Sequence, residues 1–202
     1  MAWMSISRQN ISASGSRLPL RDGASRLLAA AALALMAAPS AASAQAPVAG
    51  EHAPQLLARF HGNWEGTVLF RNVLNGESQT VGATMTGKPQ GDAALLDMLL
   101  DDGKGRLMRQ PFKISVNAPG RTFTRDPGDE AVTFRIAEGN LAPATGEPVK
   151  LVLEGRGAEQ AVPMDVRETI EIDGDRMIWR REMKPDGGAY GFRSEYRLTR
   201  KP

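Results

Sequence analysis

A strict alternation of apolar and polar residues over the last third of the chain is the strongest constraint on its fold. Apolar or aromatic side chains dominate every second position from 164 to 172, from 177 to 183 and from 190 to 198. Asp173-Gly174 and Asp186-Gly187-Gly188 separate these segments, and both suit tight hairpin turns. Because this alternation is typical of strands with one apolar face, it predicts a meander of three antiparallel strands.

Strand patterns of the same kind fill the chain from Trp64 onward, with no helical segments between them. Further strand candidates cover residues 64–73, 79–86, 106–116, 121–125, 131–136 and 149–153. We therefore predict an all-β fold, an antiparallel up-and-down barrel of about eight to ten strands. A short helix over 54–60 precedes it, and the barrel domain spans 53–202.

Segment 94–100 fits two structures. Asp92 and Gly103 suit the start and end of a helix, whereas its apolar residues also alternate as in a strand. The neighbouring strand patterns favour a strand.

The first 44 residues carry the features of a secretory signal peptide. Four arginines precede an apolar run over 27–38, and Ala42-Ser43-Ala44 supplies small residues for cleavage after Ala44. That run is shorter than the roughly 20 residues a spanning helix needs, so we expect no stable membrane anchor. Residues 45–52 form a predicted flexible tail. The leader is bacterial in style, and we expect a periplasmic or secreted protein.

Charge and cysteine content exclude several classes of function. The leader holds four of the 25 basic and one of the 23 acidic residues, so the remainder has 21 basic and 22 acidic residues and a formal charge of −1. Such a nearly neutral domain lacks the electrostatic footprint of a nucleic-acid-binding protein. The chain has no cysteine, which excludes disulfides and a lipid-modified cysteine.

The two ends of the predicted barrel carry a recognisable pattern. Phe60-His61-Gly62-Asn63-Trp64-Glu65-Gly66 opens the first strand, and Tyr196-Arg197-Leu198-Thr199-Arg200 ends the last. A Gly-x-Trp at the start of a first strand, followed by short alternating strands, resembles bacterial lipocalin-like domains of the calycin superfamily. The resemblance covers most of the chain after the leader and implies a barrel that holds a small apolar molecule.

The resemblance also implies a structural role for Trp64. In lipocalin-like barrels this tryptophan closes one end, and a late arginine lies against its ring. Arg200 is the candidate partner, because it shares the parity of Leu198, and such a contact contributes about 0.5–2 kcal/mol. Arg197 and Arg181 are alternative partners, and a Trp64 packed in the core without an arginine is another alternative.

Nine side chains of the inward parity are predicted to line a ligand pocket. They are Phe70, Met85, Met98, Met177, Trp179, Met183, Tyr190, Phe192 and Tyr196. Methionine suits surfaces that adapt to varied apolar ligands. The alternative is a dry core, since a barrel of about eight strands is just wide enough to be packed or to hold one small ligand.

Charged residues of the inward parity predict an internal ion pair between Glu168 and Arg181. A lone buried charge is costly, so an inward arginine needs a partner, and Glu168 lies on the preceding strand. Arg180, Arg181 and Arg193 are alternative candidates for contact with an anionic head group.

Nothing in the sequence predicts a catalytic residue, a metal site or a cofactor. The chain has two histidines, His52 and His61, both before the first strand or at its start. Zinc sites need several histidines or cysteines together, and a haem-binding calycin needs a histidine on a late strand. A serine nucleophile needs a nearby base, and no Gly-x-Ser-x-Gly is present.

These observations favour a non-enzymatic binding protein for a small apolar or amphipathic, lipid-like molecule in the cell envelope. Two alternatives stay open at this point. One is an enzyme that acts on a bound lipid-like substrate inside the same barrel. The other is a packed barrel whose outer face binds another protein.

Overall fold

Alternation along the chain translates into a barrel of ten antiparallel strands in the computed structural model. The structure describes residues 53–72, 75–159 and 162–202. The predicted signal peptide and flexible tail lie outside these residues. Within the described part of the chain, no helix has the length and apolar character needed to cross a membrane.

One short helix precedes the strands, and every strand pairs with its neighbours in sequence. The elements are α1 (Pro54–Ala58), β1 (Gly62–Arg71), β2 (Ser78–Gln90), β3 (Ala93–Asp101), β4 (Leu107–Asn117), β5 (Thr122–Asp126), β6 (Val132–Glu138), β7 (Val149–Glu159), β8 (Val162–Asp173), β9 (Arg176–Pro185) and β10 (Gly191–Arg200). Pairing of β1 with β10 closes the barrel, with Trp64 opposite Arg200. The predicted fold class is therefore confirmed.

The structure decides the ambiguous segment and shortens the predicted helix. Residues 94–100 lie in β3, where inward Leu96, Met98 and Leu100 are buried and the residues between them are partly exposed. Helix α1 ends at Ala58 rather than at residue 60. Phe60 nevertheless remains fully buried against the barrel.

One end of the barrel is plugged, and we call it the closed end. It is built by α1, Phe60, Trp64 and Arg200. A side chain at Gly87 would lie 2.0 Å from the Phe60 carbonyl oxygen, so only glycine lets the chain after α1 cross β2 this closely. Leu56, Phe60 and Trp64 are at most 1% exposed, which makes this end a dry, packed core.

The opposite end, which we call the mouth, admits solvent to its interior. Inward side chains there, including Phe70, Met108 and Met183, are only partly buried, and inward-facing Gln110 is exposed. Charged side chains also point inward at the mouth, below its rim. This polar interior above an apolar core positions the candidate site.

Candidate ligand-binding site at the barrel mouth

A buried carboxylate with three donors lies at the centre of the mouth. Glu168 on β8 has no exposed side-chain surface. Its Oε1 accepts hydrogen bonds from Nε of Arg181 at 2.8 Å and from Nη2 of the same guanidinium, and Nη1 of Arg125 lies 3.3 Å from this oxygen. Its Oε2 accepts a hydrogen bond of 2.8 Å from the indole Nε1 of Trp179. Both oxygens of the carboxylate are therefore occupied.

These donors keep Glu168 ionised. Burial by itself would raise the pKa of this carboxyl, but the positive charges of Arg181 and Arg125 and the hydrogen bonds hold the pKa below its ordinary value. The most efficient general acids and bases have a pKa near the operating pH. Glu168 is instead suited to be a permanent counter-ion for the two arginines.

Arg125 enters the mouth from β5, in the same inward row as Phe123. Its guanidinium carbon lies 6.0 Å from the ring centroid of Phe112 and 5.8 Å from that of Phe134. Burial lowers the pKa of Arg125, as does the positive charge of Arg181, while Glu168 raises it. Because arginine keeps its proton in proteins, Arg125 remains a cation in an apolar setting.

A second ion pair lies close to the first. Arg193 pairs with Glu159 through its Nη2. Burial lowers the pKa of Arg181, but its interactions with neighbouring groups, first of all the Glu168 carboxylate, raise this pKa more. Glu159 is one of these groups, so the two ion pairs interact electrostatically. Burial also raises the pKa of Tyr196, which keeps this phenol neutral beside the charges.

Trp179 divides the charged mouth from the packed core. Its ring makes edge contacts with Phe60, Phe112 and Phe123, at centroid distances between 6.0 and 6.4 Å. Its N–H points to Glu168 on the other side. The indole therefore forms the floor of the mouth.

Seven of the nine residues predicted to line a pocket face the interior, at different depths. The seven are Phe70, Met85, Met98, Met177, Trp179, Met183 and Tyr196. Met85, Met98 and Met177 are at most 2% exposed and belong to the packed core. Phe70, Met183 and Tyr196 are only partly buried and border the mouth. Their role as ligand contacts stays a prediction.

The other two predicted pocket residues, Tyr190 and Phe192, lie on the outer face, and their placement is corrected. The pairing of β10 with β9 shifts between Phe192 and Ser194, which is a β-bulge with one extra residue in β10. Residues before the bulge therefore face the opposite side from the one that simple alternation predicts. Phe192 thereby pairs with outward Glu182, and its ring lies 5.3 Å from the guanidinium carbon of Arg180. The guanidinium carbon of Arg167 lies 4.0 Å from the centroid of the Tyr190 ring.

The contact expected at the closed end is present. The guanidinium carbon of Arg200 lies 4.1 Å from the Trp64 ring centroid. Arg200 also donates hydrogen bonds to the carbonyl oxygens of His61 and, at 3.1 Å, Arg59. Of the alternative partners, Arg197 pairs with Glu195 and Arg181 pairs with Glu168. The cation at this end is thus satisfied by backbone as well as by the indole.

Sequence reasoning missed Arg125, Phe112 and the hydrogen bond from Trp179 to Glu168. Arg125 lies two residues after Phe123 in the same strand, so the two side chains face the same side of the sheet. The sequence alone therefore could have predicted an inward Arg125. Of the alternative head-group contacts, Arg180 lies on the outer face with Glu182 and Glu195, while Arg181 and Arg193 belong to the mouth.

Two other features of the described residues do not add to the site. No group of three or more potential metal ligands occurs among them. A pocket of about 210 Å³ lies on the outer face near the closed end, where β3, β4 and β5 meet. It is lined by Asp92, Ala93, Lys113, Ser115, Val116, Asn117 and Thr124, and none of these is a mouth residue.

Comparison with known proteins adds a structural likeness. No family model matches this chain, and no curated protein matches its sequence. The chain is similar to the crystal structure of Rv2717c from M. tuberculosis, with a TM-score of 0.55 and 16% sequence identity. The match covers 74% of this chain and 98% of that chain. At this identity the likeness concerns the fold, a barrel compatible with ligand binding.

Proposed function

We propose that this chain is a non-enzymatic binding protein for a small amphipathic molecule, in an outlying lipocalin-like barrel. The supporting observation is the layered interior of the mouth. Charged Arg125 and Arg181 lie above an apolar floor formed by Trp179, and partly exposed Phe70 and Met183 border the same space. Ligand sites in proteins commonly combine apolar walls with a few polar groups that orient the ligand.

The energetics of the ion cluster favour a binding role over a purely structural one. Replacing a buried ion pair by well-packed apolar residues is often neutral or stabilising, so such a pair is weak evidence for stability. The closed end of the same barrel is packed with apolar side chains. Charges kept inside the mouth are therefore better explained by recognition of a polar group than by the needs of folding.

We also propose that the protein is exported and acts in the periplasm or outside the cell. The basic start, the apolar run and Ala42-Ser43-Ala44 support this. Expression of the whole chain in a bacterium, followed by N-terminal sequencing of the exported product, tests it. We expect a mature protein that begins at Gln45. Full-length protein retained in the cytoplasm would contradict the proposal.

Native mass spectrometry of the purified protein tests the binding function. We expect a population whose mass exceeds that of the chain by one small, organic-extractable molecule. Competition with a fluorescent fatty-acid probe provides a second readout. A protein that carries no such molecule and binds none of the probes is not a carrier of this kind.

A further inference from the structure

The mouth has more positive than negative charge among the inward side chains that line it. Arg125, Arg181 and Arg193 lie there with only two carboxylates, those of Glu159 and Glu168. The described charges of the mouth therefore sum to one positive charge. Because an unpaired buried charge is costly, such a site is expected to attract one negative group.

Glu168 supplies a single negative charge, and two guanidiniums already share it. Two guanidiniums share its Oε1, and the indole N–H of Trp179 takes its Oε2. Arg181 uses two of its nitrogens on this carboxylate, whereas Arg125 approaches it with one nitrogen at 3.3 Å. Among the described residues, no side-chain hydrogen bond comes from Arg125. The less committed of the two cations is thus Arg125.

Both guanidiniums are accessible from the mouth, and Arg193 also has spare capacity. The side chain of Arg125 is 23% exposed and that of Arg181 is 30% exposed, although the carboxylate between them is fully buried. Nη1 of Arg193 is buried without a hydrogen-bond partner in the described structure. The two partly exposed guanidiniums and this buried, unpaired donor lie at the same end of the barrel.

We infer that the mouth recognises the carboxylate of a singly charged amphipathic ligand, with Arg125 as its main contact and Arg181 beside it. This inference rests on the proposed binding function and names the ligand's class. A planar carboxylate matches two N–H groups of one guanidinium, and one negative charge balances the excess. The ligand's apolar part lies along Phe70, Met108 and Met183, which are partly exposed at the mouth.

Isothermal titration calorimetry with three ligands of equal chain length tests the inference. Dodecanoate carries one charge, dodecanol none, and dodecyl phosphate between one and two at neutral pH. We expect dodecanoate to bind most tightly and dodecanol about ten- to a hundredfold more weakly, since hydrogen bonds to charged groups are worth that much. The exported protein is used throughout.

Arg125→Gln is the informative variant, because it leaves the pair of Glu168 with Arg181 intact. We expect it to weaken dodecanoate binding about ten- to a hundredfold and to leave dodecanol binding unchanged. Arg135→Gln is the matched control. That arginine lies on the outer face of the next strand, paired with Glu154, and its loss is expected to change neither ligand's affinity.

The outcomes separate this inference from the proposed function. Equal binding of dodecanoate and dodecanol, with Arg125→Gln affecting neither, overturns the inference and leaves the binding function standing. Tighter binding of dodecyl phosphate than of dodecanoate overturns the assignment of a single charge. Binding of none of the three overturns both proposals. Should Arg125→Gln fail to fold, the ranking of the three ligands on the wild-type chain still decides.

Discussion

The closed end and the mouth of this barrel solve the problem of an inward arginine in different ways. At the closed end, Arg200 lies on the Trp64 ring and donates to two backbone carbonyls, and its one acidic neighbour among the described residues, Asp175 at 3.5 Å, is exposed. At the mouth, two arginines share one fully buried carboxylate. The first arrangement completes a packed core, whereas the second keeps net charge at the end of the barrel whose inward side chains are partly exposed.

This difference separates residues that stabilise the fold from residues available for recognition. Apolar burial at the closed end contributes roughly 25 cal/mol for each Å² removed from water. The charges of the mouth bring little net stability, because desolvation offsets most of their attraction. We therefore expect changes at the closed end to affect mainly folding. Changes to uncommitted charges at the mouth should affect mainly binding.

The largest expected effect is at the closed end. Trp64→Ala removes a buried indole that also donates to the Phe60 carbonyl at 3.2 Å, and it should lower the free energy of unfolding by about 3–5 kcal/mol. Urea unfolding followed by circular dichroism measures this. Ile178→Ala, at an exposed outer-face position, is the control and should stay within about 0.5 kcal/mol of wild type. Equal losses of unfolding free energy in both variants would contradict a special role of the closed end in stability.

The next effect tests the counter-ion of the mouth. Glu168→Gln leaves two inward guanidiniums without a negative charge, and we expect a loss of about 3 kcal/mol of stability. Glu171→Gln is matched to it on the same strand, because Glu171 faces outward in a 3.6 Å contact with Lys150. That control should cost less than about 1 kcal/mol. Similar melting curves for the two variants would show that Glu168 is not a required counter-ion.

A smaller effect is expected from the cation of the closed end. Arg200→Gln removes the contact with the Trp64 ring and the bonds to backbone carbonyls, at a cost of about 1–2 kcal/mol. Arg197→Gln provides the comparison, since Arg197 is on the outer face of the same strand. Ligand affinity should be unchanged in both. A large loss of ligand binding in Arg200→Gln would contradict a ligand site at the mouth and indicate one at the closed end.

The smallest effect is a pH dependence. The pKa of Glu168 is lower in the folded chain than its ordinary value of 4.5, so its ionised form stabilises the fold fully above that value. This contribution is lost as pH falls through the lower folded pKa. The stability difference between wild type and Glu168→Gln should therefore narrow as the pH falls below 4.5. A difference that is constant over this range would contradict the lowered pKa.

The alternation of residues predicted the barrel and the Glu168–Arg181 contact, because both depend only on which side of a strand a residue faces. The same rule failed at Tyr190 and Phe192. One extra residue in β10 reverses the faces there, and the alternation itself carries no mark of it. Arg125 was missed because its strand is short, with Phe123 as its one buried residue. The shared carboxylate depends on three strands meeting across the barrel, which single-strand patterns do not encode.

Fluorine NMR of the exported protein labelled with fluorotryptophan compares the two ends in one experiment, because Trp64 lies in the closed end, Trp179 forms the floor of the mouth, and Trp3 belongs to the predicted leader. Single tryptophan-to-phenylalanine variants assign the resonances. Addition of dodecanoate should shift the Trp179 resonance and leave that of Trp64 in place. A shift of the Trp64 resonance alone, or of neither, would contradict a ligand site at the mouth.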